Sequence, residues 1–323
     1  MDNGPASPAP SAARTAPAVP HRELSVRSAD GTRLHVEVHG PHDAPSIVLS
    51  HGWTCSIPFW APVVTRLGAA YRVVLYDQRG HGRSARPARH GYGVSALADD
   101  LCAVLRATVP QGTRAVLGGH SMGGMTLMAA AQRPEVRERA AAVALISTGC
   151  ADLLASARVV PGAALFPRLG AAGHRLLLGA PVPLGPKTPL TRAALHYVTM
   201  APDARPQMVD FCARLVHACP SLPRAHWGRV LAELDLEREV RALECPATVV
   251  AGGRDRLTPI AHAHRIAAAL PDCEDLVEIP RAGHMTPLED PATVATVLSG
   301  LADRHLAVAR KKKEKDELTR QRA

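Results

Sequence analysis

Ser121 sits in the run Gly119-His120-Ser121-Met122-Gly123, a serine with a glycine two residues away on each side. A serine hydroxyl is a weak nucleophile until a neighbouring base shares its proton. A sharp strand-to-helix turn exposes such a hydroxyl, and the flanking glycines leave room for the crowded backbone. The apolar run Ala115–Leu117 before the serine reads as a strand, and Met122 to Gln132 after it reads as a helix. A nucleophile of this kind needs a base, an acid to orient the base, and donors for a developing oxyanion.

His284 is the candidate base. It lies in Pro280-Arg281-Ala282-Gly283-His284-Met285, between the apolar run Leu276–Ile279 and a helix predicted from Pro291. Loop position singles it out among 16 histidines. His51, His81 and His120 lie in tight glycine-flanked turns and are read as structural. Asp255 follows Val249-Val250-Ala251-Gly252-Gly253-Arg254 and is the candidate orienting acid. It could instead cap a helix or pair with Arg254 or Arg256, and Asp152 is a rival acid. The expected oxyanion donors are the backbone N–H groups of Met122, next to the nucleophile, and Trp53, in His51-Gly52-Trp53 after the Ile47–Ser50 run. The Trp53 and Met122 side chains could also line a pocket.

These residues need a scaffold that brings strand ends together. Leu24–Arg27 and Leu34–Val38, around Asp30-Gly31, read as a hairpin. Ile47–Leu49, Val73–Tyr76, Ala115–Leu117, Val143–Ile146, Thr248–Val250 and Leu276–Ile279 are continuous apolar runs, as expected of parallel strands covered on both faces. Helical patterns alternate with them at 58–67, 95–109, 122–132, 259–270 and from Pro291 to about Ala309. The alternation predicts an α/β fold with a mostly parallel central sheet and helices on both faces. Ligand chemistry in such a sheet belongs at the carboxyl ends of its strands.

The stretch between Ile146 and Thr248 is far longer than one crossover needs. Met208, Phe211, Cys212, Leu215, Val216 and Cys219 form a helical stripe within it, and 222–234 suggests another helix. The expected division is a disordered leader at 1–21 and a core made of 22–148 and 245–306. A helical cap at 149–244, inserted after the sixth strand, and a basic tail at 307–323 complete it.

Composition narrows the class. The chain has 323 residues, 46% of them hydrophobic, enough for one large core, and no apolar run reaches membrane-spanning length. Stable membrane insertion is therefore not expected. Seven scattered cysteines, none spaced as CxxC, argue against a disulfide framework or a zinc site and for a reducing, cytoplasmic setting. The formal charge of +9 comes partly from a tail that interleaves both signs without aromatic residues, so no nucleic-acid partner is expected. Oligomeric state is not legible.

Taken in order, His51-Gly52-Trp53, Asp77-Gln78-Arg79-Gly80-His81-Gly82-Arg83-Ser84, Gly119-His120-Ser121-Met122-Gly123-Gly124, Gly253-Arg254-Asp255 and Gly283-His284 resemble the α/β-hydrolase superfamily, in its serine esterase/lipase branch with a helical cap. The resemblance spans roughly Glu23 to Leu306. It implies cofactor-free hydrolysis of a small-molecule ester through an acyl-enzyme, with Ser121, Asp255 and His284 as the triad and Trp53 and Met122 as the oxyanion donors. The order Ser, Asp, His matches this superfamily. Ser121 argues against the dehalogenase and epoxide hydrolase branches, which use Asp there, and Met122 fits poorly with the proline iminopeptidases. Thioesterase, acyltransferase, perhydrolase and C–C hydrolase chemistry on the same triad stays open, as does a ligand-sensing protein on a retired hydrolase fold.

Overall fold

The computed structural model describes residues 22–88, 90–159, 180–181, 185 and 188–321, with side chains to Leu306. The expected leader at 1–21 and part of the 149–244 stretch lie outside the described residues. Eight strands form one sheet in the order β1-β2-β4-β3-β5-β6-β7-β8. They are β1 (Arg22–Arg27), β2 (Arg33–His39), β3 (Ser46–Ser50), β4 (Arg72–Tyr76), β5 (Ala115–His120), β6 (Ala140–Ile146), β7 (Ala247–Gly252) and β8 (Cys273–Ile279). β2 runs antiparallel to β1 and β4, and every other pairing is parallel. The hairpin and all six apolar runs therefore become strands, in the mostly parallel sheet expected.

Helices cover both faces. Leu97, Leu101 and Leu105 of α2 (Val94–Thr108), Met125 and Met128 of α3 (Met122–Ala129) and Ile266 of α10 (Ile260–Ala269) belong to one core. Val63 and Leu67 of α1 (Ala61–Leu67), with Val294, Leu298 and Leu301 of α12 (Pro291–Gln321), belong to the other. β5 and β6 are buried along their whole length, which explains why their sequences run apolar rather than alternating.

Two helix boundaries differ from expectation. The helix after Ser121 ends at Ala129, and α4 (Pro134–Arg139) starts afresh because Pro134 fits a first turn while holding Arg133 extended. α12 continues to Gln321, past the expected end near Ala309, through Lys- and Glu-rich sequence that favours helix. Between β6 and β7 the described helices are α5 (Leu153–Ser156), α6 (Pro189–Thr199), α7 (Pro206–Ala218), α8 (Ser221–Ala232) and α9 (Glu237–Arg241). The 208–219 stripe buries Met208, Phe211, Cys212 and Val216 against the α12-side core. Among the described residues no helix is long and apolar enough to cross a membrane.

Candidate active site

β5 ends at His120 and α3 starts at Met122, so the whole turn between them is Ser121. Its backbone has φ 53° and ψ −119°, a left-side conformation that costs a non-glycine residue roughly 1–3 kcal/mol. Neighbouring contacts hold it there. The Ser121 N–H donates to the Ile146 carbonyl (2.9 Å), and the Thr148 hydroxyl donates to the Ser121 carbonyl (2.8 Å). A side chain at Gly123 would run into the Ser50 carbonyl, and one at Gly119 into the Gly123 backbone, so both glycines are sterically required. Ser121 is half-buried, while every other residue from Ala115 to Met128 is buried.

His284 and Asp255 meet from different loops. Asp255 follows β7, and His284 follows β8. The His284 Nδ1–H donates to Asp255 Oδ2 at 2.8 Å, with both side chains almost wholly buried. Asp255 Oδ1 accepts the amides of Leu257 (2.8 Å) and Thr258 (2.9 Å), and Oδ2 also accepts the Thr258 hydroxyl (2.8 Å). Four donors thus fix the carboxylate, and a donating Nδ1–H leaves the lone pair on Nε2. Neither flanking arginine takes Asp255: Arg254 pairs with Asp203 (2.9 Å), and Arg256 lies over the Tyr197 ring. The rival acid, Asp152, faces Arg265 (2.8 Å) with its side chain 63% exposed.

His120 links the histidine loop to the serine. Its Nε2–H donates to the His284 carbonyl (2.9 Å), and the two rings lie 5.0 Å apart. Complete burial keeps its own charged form strongly disfavoured, with the neighbouring His284 adding to the effect. His51 and His81 do different work. The His51 Nδ1–H donates to the Gly52 carbonyl (2.8 Å), and its Nε2 accepts the Gln78 amide (3.0 Å). The His81 Nε2 accepts the Thr54 amide (3.2 Å). Burial pushes His51 down to about 4 and His81 to about 3, so both are neutral bridges. They tie the 52–54 loop to the 78–81 turn.

That loop approaches the serine closely. A Cβ placed on Gly52 would lie 3.1 Å from Ser121 Cβ. Among the described residues, neither the Trp53 nor the Met122 backbone N–H donates to another group. The Trp53 indole N–H donates instead to the Arg224 carbonyl in α8 (3.0 Å), which anchors the ring to the helices between β6 and β7.

Sequence reading missed Thr258, Thr148, Glu289 and the linking role of His120. Thr258 had a local signal, since an aspartate three residues before a threonine forms this side-chain turn readily. Thr148 and His120 act across long separations, and Glu289 joins its own neighbourhood to Ala201, 88 positions away. Among the described residues, Glu23, His35 and Glu37 are the one group of three metal-ligating side chains that converges. It lies on the β1–β2 hairpin, where Arg83 already grips both oxygens of Glu23 (3.0 and 2.8 Å).

The family model of the α/β-hydrolase fold matches residues 45–291, well over half of the chain. A protein of Variovorax paradoxus (strain S110) that carries the name carbamate hydrolase RutD is 33% identical over 259 residues, covering 78% of this chain and 89% of its own. A pimeloyl-[acyl-carrier protein] methyl ester esterase of Xanthomonas axonopodis pv. citri (strain 306) is 32% identical, over 78% of this chain and 91% of its own. Among solved structures, an esterase from Thermogutta terrifontis superposes with a TM-score of 0.71 at 22% identity, covering 88% of this chain and 99% of its own. The chain belongs to the α/β-hydrolase family, and its chemistry is that of a hydrolase.

Proposed function

We propose that the protein is a serine hydrolase that cleaves a carboxylic ester of a small to medium apolar molecule through an acyl-enzyme. In this reading Ser121 Oγ attacks the ester carbonyl while His284 Nε2 takes its proton, and Asp255 holds the imidazole in the required tautomer. The Trp53 and Met122 amides receive the oxyanion, each worth roughly 3 kcal/mol in the transition state. Collapse of the tetrahedral intermediate expels the alkoxide, which takes the proton from His284. Water, deprotonated by the same imidazole, then releases the acid. No step calls for a metal or a cofactor.

The observation that carries the reading is the 2.8 Å bond from His284 to Asp255, held at the end of β5 by His120, the neighbour of Ser121. The Ala, Leu, Val and Pro content of 149–244 favours an apolar acyl or alcohol group, with this stretch acting as a cap. Purified protein should release p-nitrophenol from short- and medium-chain esters and react covalently with a fluorophosphonate at Ser121. Ser121→Ala should abolish both. Equal, slow turnover by wild type and variant across an ester panel would refute the proposal.

A second reading keeps the triad but presents the acyl group on an acidic carrier protein, as a thioesterase or acyltransferase would. The likeness to an esterase named for a carrier-bound ester and the formal charge of +9 favour it. Turnover of acyl-carrier substrates well above that of the matching p-nitrophenyl ester would select it.

A further inference from the structure

The backbone of residues 283–285 is held by three other residues, two of them distant in sequence. The Thr199 carbonyl, at the end of α6, accepts the amides of both His284 (3.0 Å) and Met285 (3.2 Å). His120, next to the nucleophile, donates to the His284 carbonyl (2.9 Å). The third anchor is Glu289, at the end of the short helix α11 (Thr286–Glu289). Its Oε1 accepts the Met285 amide (3.1 Å), and its Oε2 accepts the amides of Gly283 (3.0 Å) and Ala201 (2.8 Å).

A carboxylate capping its own helix would account for the Met285 bond alone. The other two bonds exceed that role. Through one carboxylate oxygen they join the residue just before His284 to Ala201, 88 positions from Glu289 in sequence and in the stretch between β6 and β7. The same segment is braced from within, since the His196 Nε2–H donates to the Ala201 carbonyl (2.8 Å). Burial raises Glu289 above the usual carboxylate range although three amides favour its charged form, so this partly buried anchor is held at a desolvation cost.

Resting on the serine-hydrolase reading above, we propose that Glu289 is a positioning residue that holds the His284 main chain in register with Ser121 and locks the 199–201 segment to the catalytic histidine. The carboxylate does not touch the reacting atoms; it fixes where the imidazole stands.

The test compares Glu289→Gln and Glu289→Ala in the full chain, with fluorophosphonate titration counting competent sites. Glutamine keeps one oxygen for Ala201 and Gly283 but sets an NH2 against the Met285 amide. Alanine removes both acceptor oxygens and with them all three bonds. Since a displacement of about 1 Å can cost about 10²-fold in rate, Glu289→Ala should lose about 100-fold in kcat per titrated site, with KM within threefold. Glu289→Gln should lose less. Glu289 also lines a cavity of about 290 Å³ with Asp203, Arg205 and Arg281, so water has room to reach the freed amides.

If either folded variant turns over at the wild-type rate per titrated site, the inference is overturned, because fewer sites at normal speed mark a purely structural carboxylate. Should alanine prevent folding, the glutamine variant decides alone by the same per-site criterion. Failure of Ser121→Ala to abolish turnover would sink the parent reading instead, so the two failures are separable.

Discussion

Replacing Asp255 by Asn should disable the enzyme through a proton placed on the wrong nitrogen, with little harm to the fold. Asp255 Oδ1 is committed to two main-chain amides, Leu257 at 2.8 Å and Thr258 at 2.9 Å. An asparagine must therefore keep its carbonyl oxygen there and turn its NH2 towards His284 Nδ1, which now lies 2.8 Å from Oδ2. Two donors cannot face each other, so the imidazole shifts its proton to Nε2 and the lone pair needed by Ser121 disappears. The Thr258 hydroxyl can rotate to accept from the new NH2, so the local cost is small. Loss of the correct tautomer costs about 10⁴ in kcat in triads of this kind, or about 5 kcal/mol of transition-state stabilisation. The assay is p-nitrophenyl ester turnover at pH 7, with thermal unfolding followed in parallel. Asp152→Asn is the control, since Asp152 is tied to Arg265 on the surface and should leave kcat unchanged. Asp255→Asn within tenfold of wild type, at an unaltered melting temperature, would refute the triad assignment.

Gly52→Ala should push the 52–54 loop, the proposed source of an oxyanion donor, away from the serine, because its methyl carbon would stand 2.7 Å from His120 Nδ1 and 3.1 Å from Ser121 Cβ. Loss of one donor predicts a fall in kcat of about 10²–10³; a variant with unchanged kcat would remove Trp53 from the oxyanion role. Thr258→Val deletes one donor to Asp255 Oδ2 and should lower the urea unfolding free energy by about 1.5 kcal/mol, and an unchanged midpoint would show the bond to be idle. Acid should weaken the fold through His51 and His81. Folding lowers the pKa of each base from 6.5, to about 4 and about 3, so the stability they carry is whole above pH 6.5 and drains as pH falls. Taken independently, each accounts for a loss of about 2 kcal/mol at pH 5. Asp77 and Asp100, raised by burial, oppose this trend, so the variant comparison is the measurement. His51→Gln should flatten the decline in stability between pH 6.5 and 5, and identical slopes would show that folding does not lower the proton affinity of His51.

The contrast between Ser121 and Glu289 shows what a sequence can disclose. Ser121 declares itself because its requirements are local: a strand before it, a helix after it and glycines where backbone passes close. The parallel strands were legible for a similar reason, since burial on both faces leaves continuous apolar runs such as Val143–Ile146. Asp255 and His284 were legible as loop residues after strands, and the Gly253-Arg254-Asp255 motif favoured Asp255 over its rival Asp152. What the sequence did not show is the turn of Leu257 and Thr258 amides that holds Asp255 and the Arg265 pairing that holds Asp152 on the surface. Glu289 gave no signal at all, for it sits in a four-residue helix and two of its amide partners carry no side-chain information. The same holds for His120 and Thr199, whose bonds to residue 284 span 164 residues in one case and end on a main-chain carbonyl in the other. On the proposed reading, the nucleophile is encoded in a short pattern, whereas alignment of the base is encoded in the packing of remote backbone. Substitutions that leave every recognisable motif intact can therefore still silence the site, and the 199–201, 283–285 and Glu289 junction is where such silent losses should concentrate.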